Sequence, residues 1–360
     1  MRIGIDISQI VYGTGVSVYT ENLVRSLFKI DTENEYLLFG GSLRQRSKLK
    51  SISMGFEGSF ESKFYRLPPT VLDLLWNRLH RMDFERFTGN IDVYHSSDWA
   101  QAPSTAWKVT TVHDLAPLKF PRWTHPRVVA AHRRRLGWVK KEVDRIIVPS
   151  NSTKDDLVEL GFNESKMSVI YEAPEERYKK VNEEEVNEMK RKFRLNDNYL
   201  LMVGTSGRKN LKNIIRGFEL SRRDERQLVI TGNKLEGVGE TRGVKYLGYV
   251  SDTDLVRLYS GAEALVYATL YEGFGLPILQ AMACGCPVVT SNISSMPEVA
   301  GGAAVLVNPN EPDDIAFGVK KILKNRDVYT KKGMENVRRF SWEKTAMETL
   351  GVYSEVASKV

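Results

Sequence analysis

Short β-branched and apolar runs alternate with helical stretches from one end of this chain to the other, and no other feature constrains the fold as much. Runs at 2–8, 36–40, 62–67, 91–96, 107–113, 145–149 and 167–171 read as strands, with helices expected over 17–29, 70–88 and 126–143. A charged stretch follows over 174–198, containing Glu183-Glu184-Glu185 and Lys190-Arg191-Lys192. The alternation then restarts at Tyr199-Leu200-Leu201-Met202-Val203 and continues with strands expected at 227–231, 244–249, 264–269, 287–291 and 303–308. Alternating β and α is the mark of parallel sheets covered by helices on both faces. Two such series parted by a polar stretch predict two doubly wound, Rossmann-like domains. A length of 360 residues with 42% apolar content is ample for both cores.

The start, Met1 to Ile7, lacks a basic lead and a long apolar core, so it reads as a first strand and not as a signal peptide. No apolar run approaches the roughly 18–20 residues of a membrane span. Cys284 and Cys286 are one residue apart, without the histidines a zinc site needs, so packing is their expected role and a reducing cytoplasm the expected compartment. The net charge of +7 is unevenly placed: residues 1–150 carry 22 Lys/Arg against 15 Asp/Glu, whereas residues 151–360 carry 30 of each. Part of that surplus is His132-Arg133-Arg134-Arg135-Leu136-Gly137-Trp138-Val139-Lys140-Lys141. Basic residues interleaved with a Trp fit peripheral contact with an anionic membrane leaflet and a plain solvated helix equally well. Nucleic acid falls behind, because no recognition motif accompanies the run.

The chemistry concentrates in residues 271–287. The apolar run Ala264 to Thr269 feeds a loop with one carboxylate, Glu272, beside Gly273 and Gly275, and Pro277 opens a short helix. Glycines let a backbone approach a ligand, and free N–H groups at a helix start attract anions. A carboxylate beside such a cradle suits a sugar hydroxyl next to a phosphate. A second turn of this kind, Gly204-Thr205-Ser206-Gly207-Arg208-Lys209-Asn210, follows the strand at 199–203 and adds two full positive charges. Cations are disfavoured at a helix N-terminus, so a bound anion would explain them. A third element, His113-Asp114-Leu115, ends the strand at 107–113, where open α/β sheets place ligands. His95, after Asp92-Val93-Tyr94, is a second histidine candidate. Tyr12-Gly13-Thr14-Gly15 opens the first helix but does not match the dinucleotide fingerprint, which argues against a nicotinamide-dependent oxidoreductase.

The string Glu-Gly-Phe-Gly-Leu-Pro-x-x-Gln-Ala-Met-Ala-Cys-Gly-Cys-Pro-Val from Glu272 onward resembles the signature of retaining GT-B glycosyltransferases of family 4, and the resemblance extends over essentially the whole chain. It implies a GT-B fold of two facing Rossmann-like domains, 1–170 plus 345–360 on the acceptor side and 171–344 on the nucleotide-sugar side. Chemistry is expected in the cleft, with the amphipathic segment from Ser341-Trp342 crossing back to the first domain. In the family, Arg208 and Lys209 would contact the donor diphosphate, and Glu272 the sugar. His113 would bond the transferred sugar and help stabilise positive charge at its anomeric carbon. Gly15, Gly273, Phe274, Gly275 and Leu276 would face the nucleotide sugar, and Tyr249 and Val250 the base.

Tyr19 would face the acceptor with His95 and Asp114, although Asp114 equally suits capping of its own turn. The departures are Gln280 where the family has a carboxylate for the ribose, Thr205 after the glycine, and Val18 in place of an arginine. Asp252-Thr253-Asp254 reads as a helix cap rather than a metal motif, so no metal and no cofactor are expected. The resemblance implies a cytoplasmic hexosyltransferase, retaining and metal-independent, using GDP-mannose ahead of a UDP-sugar and acting on a glycan or lipid-linked saccharide. A catalytically silent nucleotide-binding subunit is the non-enzymatic alternative.

Overall fold

A computed structural model describes residues 1–221, 226–234 and 239–358. The chain divides into two compact units, Met1–Glu172 with Ser341–Val360, and Ala173–Phe340. Residues 359 and 360 lie outside the described residues.

The first unit is built on seven strands: β1 Arg2–Asp6, β2 Glu35–Gly41, β3 Phe60–Tyr65, β4 Val93–Ser96, β5 Trp107–Thr111, β6 Arg145–Val148 and β7 Met167–Val169. Their order is β3-β2-β1-β4-β5-β6-β7, with the paired strands parallel. The second unit has β8 Tyr199–Val203, β9 Gln227–Thr231, β10 Val244–Tyr246, β11 Ala264–Tyr267, β12 Val288–Ser291 and β13 Val305–Val307. Its order is β10-β9-β8-β11-β12-β13, again in parallel pairs. Each sheet grows outward in one direction and then returns to the other side of its first strand. The reversals lie between β1 and β4 and between β8 and β11. Ligands of open α/β sheets sit outside the carboxyl ends of strands at such reversals.

Burial explains the strands. β8 and β11 read as nearly continuous apolar runs because both faces are covered. Leu200, Met202, Leu228, Ile230, Val266 and Val289 join Ile214, Phe218, Ile315 and Val319 from the flanking helices in one core. In the first unit the closing helix Trp342–Ala357 is capped by Ser341, whose hydroxyl accepts from the Lys344 N–H at 3.1 Å. It buries Ala346, Val352, Tyr353 and Val356. Thr345 ties it to the Tyr171 carbonyl at 2.7 Å, and Glu343 pairs with Lys29 of the helix Gly15–Ile30 at 3.0 Å. The last helix therefore belongs to the first unit, as expected.

Several expectations need correction. The helix expected over 70–88 is instead Pro69–Leu72, a wide π-helical turn Asp73–Arg78 and a short helix Glu85–Thr88. The chain reverses through His80 and Met82, whose φ values of 48° and 67° are left-handed. That reversal lets both Trp76 and Phe84 enter the core, with the Trp76 indole donating to the Met82 carbonyl. The polar stretch 174–198 contains a helix, Glu183–Phe193, capped by Asn182 and stopped by Arg194 in the left-handed region. Its acids open the first turn and its bases close the last, which complements the helix dipole. β10 stops at Tyr246, short of 249, and Gly248 beyond it takes a φ of 67°. β5 ends at Thr111, leaving His113 in the loop beyond it.

Candidate active site

Strands β8 and β11 lie side by side, so the turns leaving their carboxyl ends meet. After β8, Gly204 turns the chain at a φ of 82°, and a short 3-10 turn, Gly207–Lys209, presents Arg208 and Lys209. Asn210 ends that turn in the left-handed region at φ 61°, its amide donating to the carbonyls of Ala268 at 2.9 Å and Pro309 at 2.6 Å. The Leu270 N–H donates to the Arg208 carbonyl at 2.8 Å. These bonds lock the cation turn onto the loop that follows β11.

That loop carries Glu272, only 8% exposed. Its carboxylate pairs with the Lys209 ammonium at 2.7 Å and with the Arg208 guanidinium at 3.1 Å. Lys209 also donates to the Tyr267 hydroxyl and lies 4.5 Å from that ring's centroid. Two cations thus share one carboxylate just before a helix begins. The loop itself is held by Ser294 and Ser295, whose hydroxyls donate to the Glu272 carbonyl at 2.7 and 2.9 Å. Gly273, Phe274 and Gly275 are buried and Leu276 half-buried, Leu276 being the first residue of the helix Leu276–Ala283. Gly275 caps that helix at a φ of 113°, and a Cβ there would come within 2.7 Å of the Met296 methyl. Only glycine satisfies both demands.

Gln280 lies further along this helix, buried, with its carbonyl oxygen 3.5 Å from the Tyr259 hydroxyl. Tyr249 is 90% exposed and Val250 half-buried, both just past β10. The following helix Asp252–Gly261 is capped by Ser251, not by the aspartates. Asp252 pairs with Arg177 at 2.8 Å, and Asp254 with Lys192 at 2.6 Å and the Ser251 hydroxyl at 2.8 Å. The two carboxylates serve separate partners.

In the first unit, His113 donates from Nδ1 to Glu172 at 3.1 Å, and the Tyr19 ring meets it edge-on at 4.4 Å. Burial pushes the imidazole's pKa down, but the Glu172 bond and charge, with Asp98 and Asp114, outweigh it and leave His113 above the ordinary histidine value. Glu172 and Tyr267 were not singled out in the sequence. Glu172 sits 59 residues from its partner in an unremarkable acidic stretch.

His95 has both ring nitrogens engaged, with Tyr353 at 2.6 Å and Thr111 at 3.0 Å. Burial, with the charges of His113 and Arg135, depresses its pKa to about 3. It therefore stays neutral and braces the closing helix. The Tyr19 hydroxyl bonds Thr111 at 3.1 Å. Asp114 accepts from the Ala116 N–H at 2.9 Å, so it caps its own turn. Gly15 is the first residue of its helix, exposed, with open space where a Cβ would stand.

The basic run at 132–141 lies in the helix Pro126–Glu142 and is largely used inside the unit. Arg135 is fully buried, donating to Thr110 at 2.6 Å and to the Thr111 carbonyl at 3.0 Å. Arg134 pairs with Asp73 at 2.6 Å. Trp138 stacks on His80 at 3.6 Å and donates to the Asn77 carbonyl at 2.9 Å. The aromatic that suggested membrane adsorption is thus occupied by packing. Among the described residues no helix is long and apolar enough to cross a membrane.

Comparison with known proteins agrees with this architecture. Residues 183–339 match the family Glycosyl transferases group 1, and residues 13–173 match Glycosyltransferase Family 4. The chain is 29% identical to O-antigen chain mannosyltransferase B of Escherichia coli, over 94% of this chain and 96% of that protein. It is also 29% identical to O-antigen chain mannosyltransferase RfbU of Salmonella typhimurium, over 59% and 60%. Among solved structures, HepE of Anabaena in complex with UDP and glucose superimposes with a TM-score of 0.71 at 14% identity, covering 99% of this chain and all of that one. With two parallel-sheet units, the paired cations at the β8–β11 reversal and both families matched in order along it, the chain belongs to the family 4, group 1 glycosyltransferases and has their GT-B fold.

Proposed function

We propose that this glycosyltransferase moves mannose, with retention and without a metal, from GDP-mannose to a hydroxyl of a growing glycan or lipid-linked saccharide. The observation that carries the reading is the convergence of Arg208 and Lys209 on one buried carboxylate, Glu272, beside a glycine loop and a helix start. Such a cluster can accept a diphosphate by letting it share the two cations with Glu272. Fixed positive charge on a departing diphosphate lowers the barrier because the charge develops there in the transition state. The similarity to O-antigen mannosyltransferases supports mannose as the sugar.

In this reading the bond between the anomeric carbon and the diphosphate oxygen breaks with its electron pair leaving on the oxygen. The acceptor hydroxyl oxygen bonds the same face of that carbon. Its proton passes to the departing diphosphate. His113 donates to a hydroxyl of the transferred sugar. An imidazolium would oppose positive charge at the anomeric carbon, so Glu172 has the balancing role: the pair is neutral as a unit.

Thermal-shift measurements with GDP, UDP and ADP, followed by transfer assays with the matching mannose and glucose donors, test this. Stabilisation by GDP with mannose transfer supports the reading, and stabilisation by UDP alone overturns the choice of donor. Gln280 in place of a carboxylate favours the second reading, a nucleotide-binding subunit without transfer. Nucleotide binding without turnover of any donor selects it.

A further inference from the structure

We propose that a pocket on the first unit, lined by Arg44, Arg46, Ser47, Lys50 and Arg66, binds a phosphate-bearing group. Apart from these the lining includes only Leu43, so no carboxylate enters it. The helix Arg46–Ser53 begins at the pocket. It has no acidic residue in its first turn, and its N-cap, Gln45, makes no side-chain capping bond. Arg66 lies just beyond the end of β3.

Four positive charges around one pocket are unfavourable by themselves because like charges repel, and the helix dipole also presents its positive end beside Arg46. A phosphate reverses every one of these terms. Guanidinium groups bind it through paired N–H donors, and first-turn backbone N–H groups and the Ser47 hydroxyl match its remaining oxygens.

Several cations elsewhere in the unit are paired with carboxylates. Arg2 pairs with Glu61, Arg25 with Glu21, Arg134 with Asp73 and Lys154 with Glu164. Among the described residues, none of the four pocket cations has such a carboxylate partner. The Arg46 Nε is buried with no hydrogen-bond partner as well. Part of the charge surplus of residues 1–150 is thus gathered around this pocket.

The site is independent of the donor assignment, and its test keeps the two apart. Inorganic pyrophosphate is titrated calorimetrically into the full chain in the presence of saturating GDP, at matched ionic strength. Three proteins are compared: wild type, Arg44→Ser/Lys50→Ser, and Lys320→Ser/Lys324→Ser, which removes the same charge from the exposed side of another helix. The pocket predicts about tenfold or more weaker pyrophosphate binding in the first variant only, from loss of two charge-assisted contacts.

A parallel flotation assay uses phosphatidylglycerol and phosphatidylcholine vesicles. Weakening of pyrophosphate binding identifies a free phosphate group as ligand. Selective loss of phosphatidylglycerol binding identifies a lipid headgroup. Equal behaviour of wild type and the Arg44/Lys50 variant in both assays overturns the proposal, as does an equal loss in the Lys320/Lys324 control. Failure of GDP to bind bears on the donor reading alone, because the comparison between variants still reads the pocket.

Discussion

Each unit places an ion cluster beyond the carboxyl ends of its strands, and the two clusters have opposite character. In the second unit, two cations enclose one buried carboxylate at the end of β8 and β11. In the first, one histidine past β5 is held by one buried carboxylate, Glu172. The first arrangement gathers two cations, which suits an anion that gains charge. The second is neutral overall, which suits a directed hydrogen bond to an uncharged hydroxyl. The same fold therefore supplies charge on one side and orientation on the other, and mutants should separate the two effects.

The largest effect belongs to the charged side. Lys209→Ala should lower turnover by on the order of 10²–10³-fold, the usual consequence of removing one donor to developing negative charge. Unchanged kcat in a protein of normal circular dichroism would dismiss the diphosphate role.

On the neutral side, Glu172→Gln removes the strongest influence raising His113 and leaves burial, which lowers it, opposed only by the charges of Asp98 and Asp114. The His113 pKa should then fall below the ordinary histidine value, and NMR titration of the imidazole reads this directly. The folded-state pKa of wild type is raised, so the pair's contribution to stability is complete below the unfolded-state value and fades as pH climbs through the folded one. Glu172→Gln should flatten that part of the stability profile and reduce transfer by about tenfold, corresponding to about 1.4 kcal/mol. A wild-type pH profile in the mutant would contradict the dyad.

The smallest expected change tests how far Gln280 weakens the charged side. If its amide faces the ribose, Gln280→Glu should tighten nucleoside diphosphate binding by roughly 1 kcal/mol, the gap between neutral and charge-assisted bonds. The residue is buried near Tyr259, whose hydroxyl can donate to the new carboxylate. Calorimetry with GDP decides it, and weaker binding would place Gln280 away from the ribose.

The fold was legible wherever burial writes a pattern. β8 and β11 are apolar on both faces, so their runs stood out, and the motif from Glu272 to Pro287 marked the loop between strand and helix. Lys209, Arg208 and Glu272 were each singled out, but their mutual pairing was not. A contact across 64 residues leaves no local trace.

Glu172 was missed for the same reason, since nothing in Tyr171-Glu172-Ala173-Pro174 marks it as the partner of His113. Arg135 looked like one of several surface cations until Thr110 and Thr111 gave its guanidinium buried acceptors. The failure over 70–88 is local. The chain reverses through left-handed His80 and Met82, positions that would ordinarily be signalled by glycine.

The central claim is that Glu272 shares the two cations with the donor while reserving its carboxylate for the sugar. Calorimetric titration of wild type and Glu272→Gln with GDP and with GDP-mannose tests it most directly. Neutralising Glu272 frees Arg208 and Lys209 for the diphosphate, so GDP should bind at least as tightly as to wild type. GDP-mannose should bind more weakly, because the sugar loses a charged acceptor. Equal losses for both ligands would contradict the account.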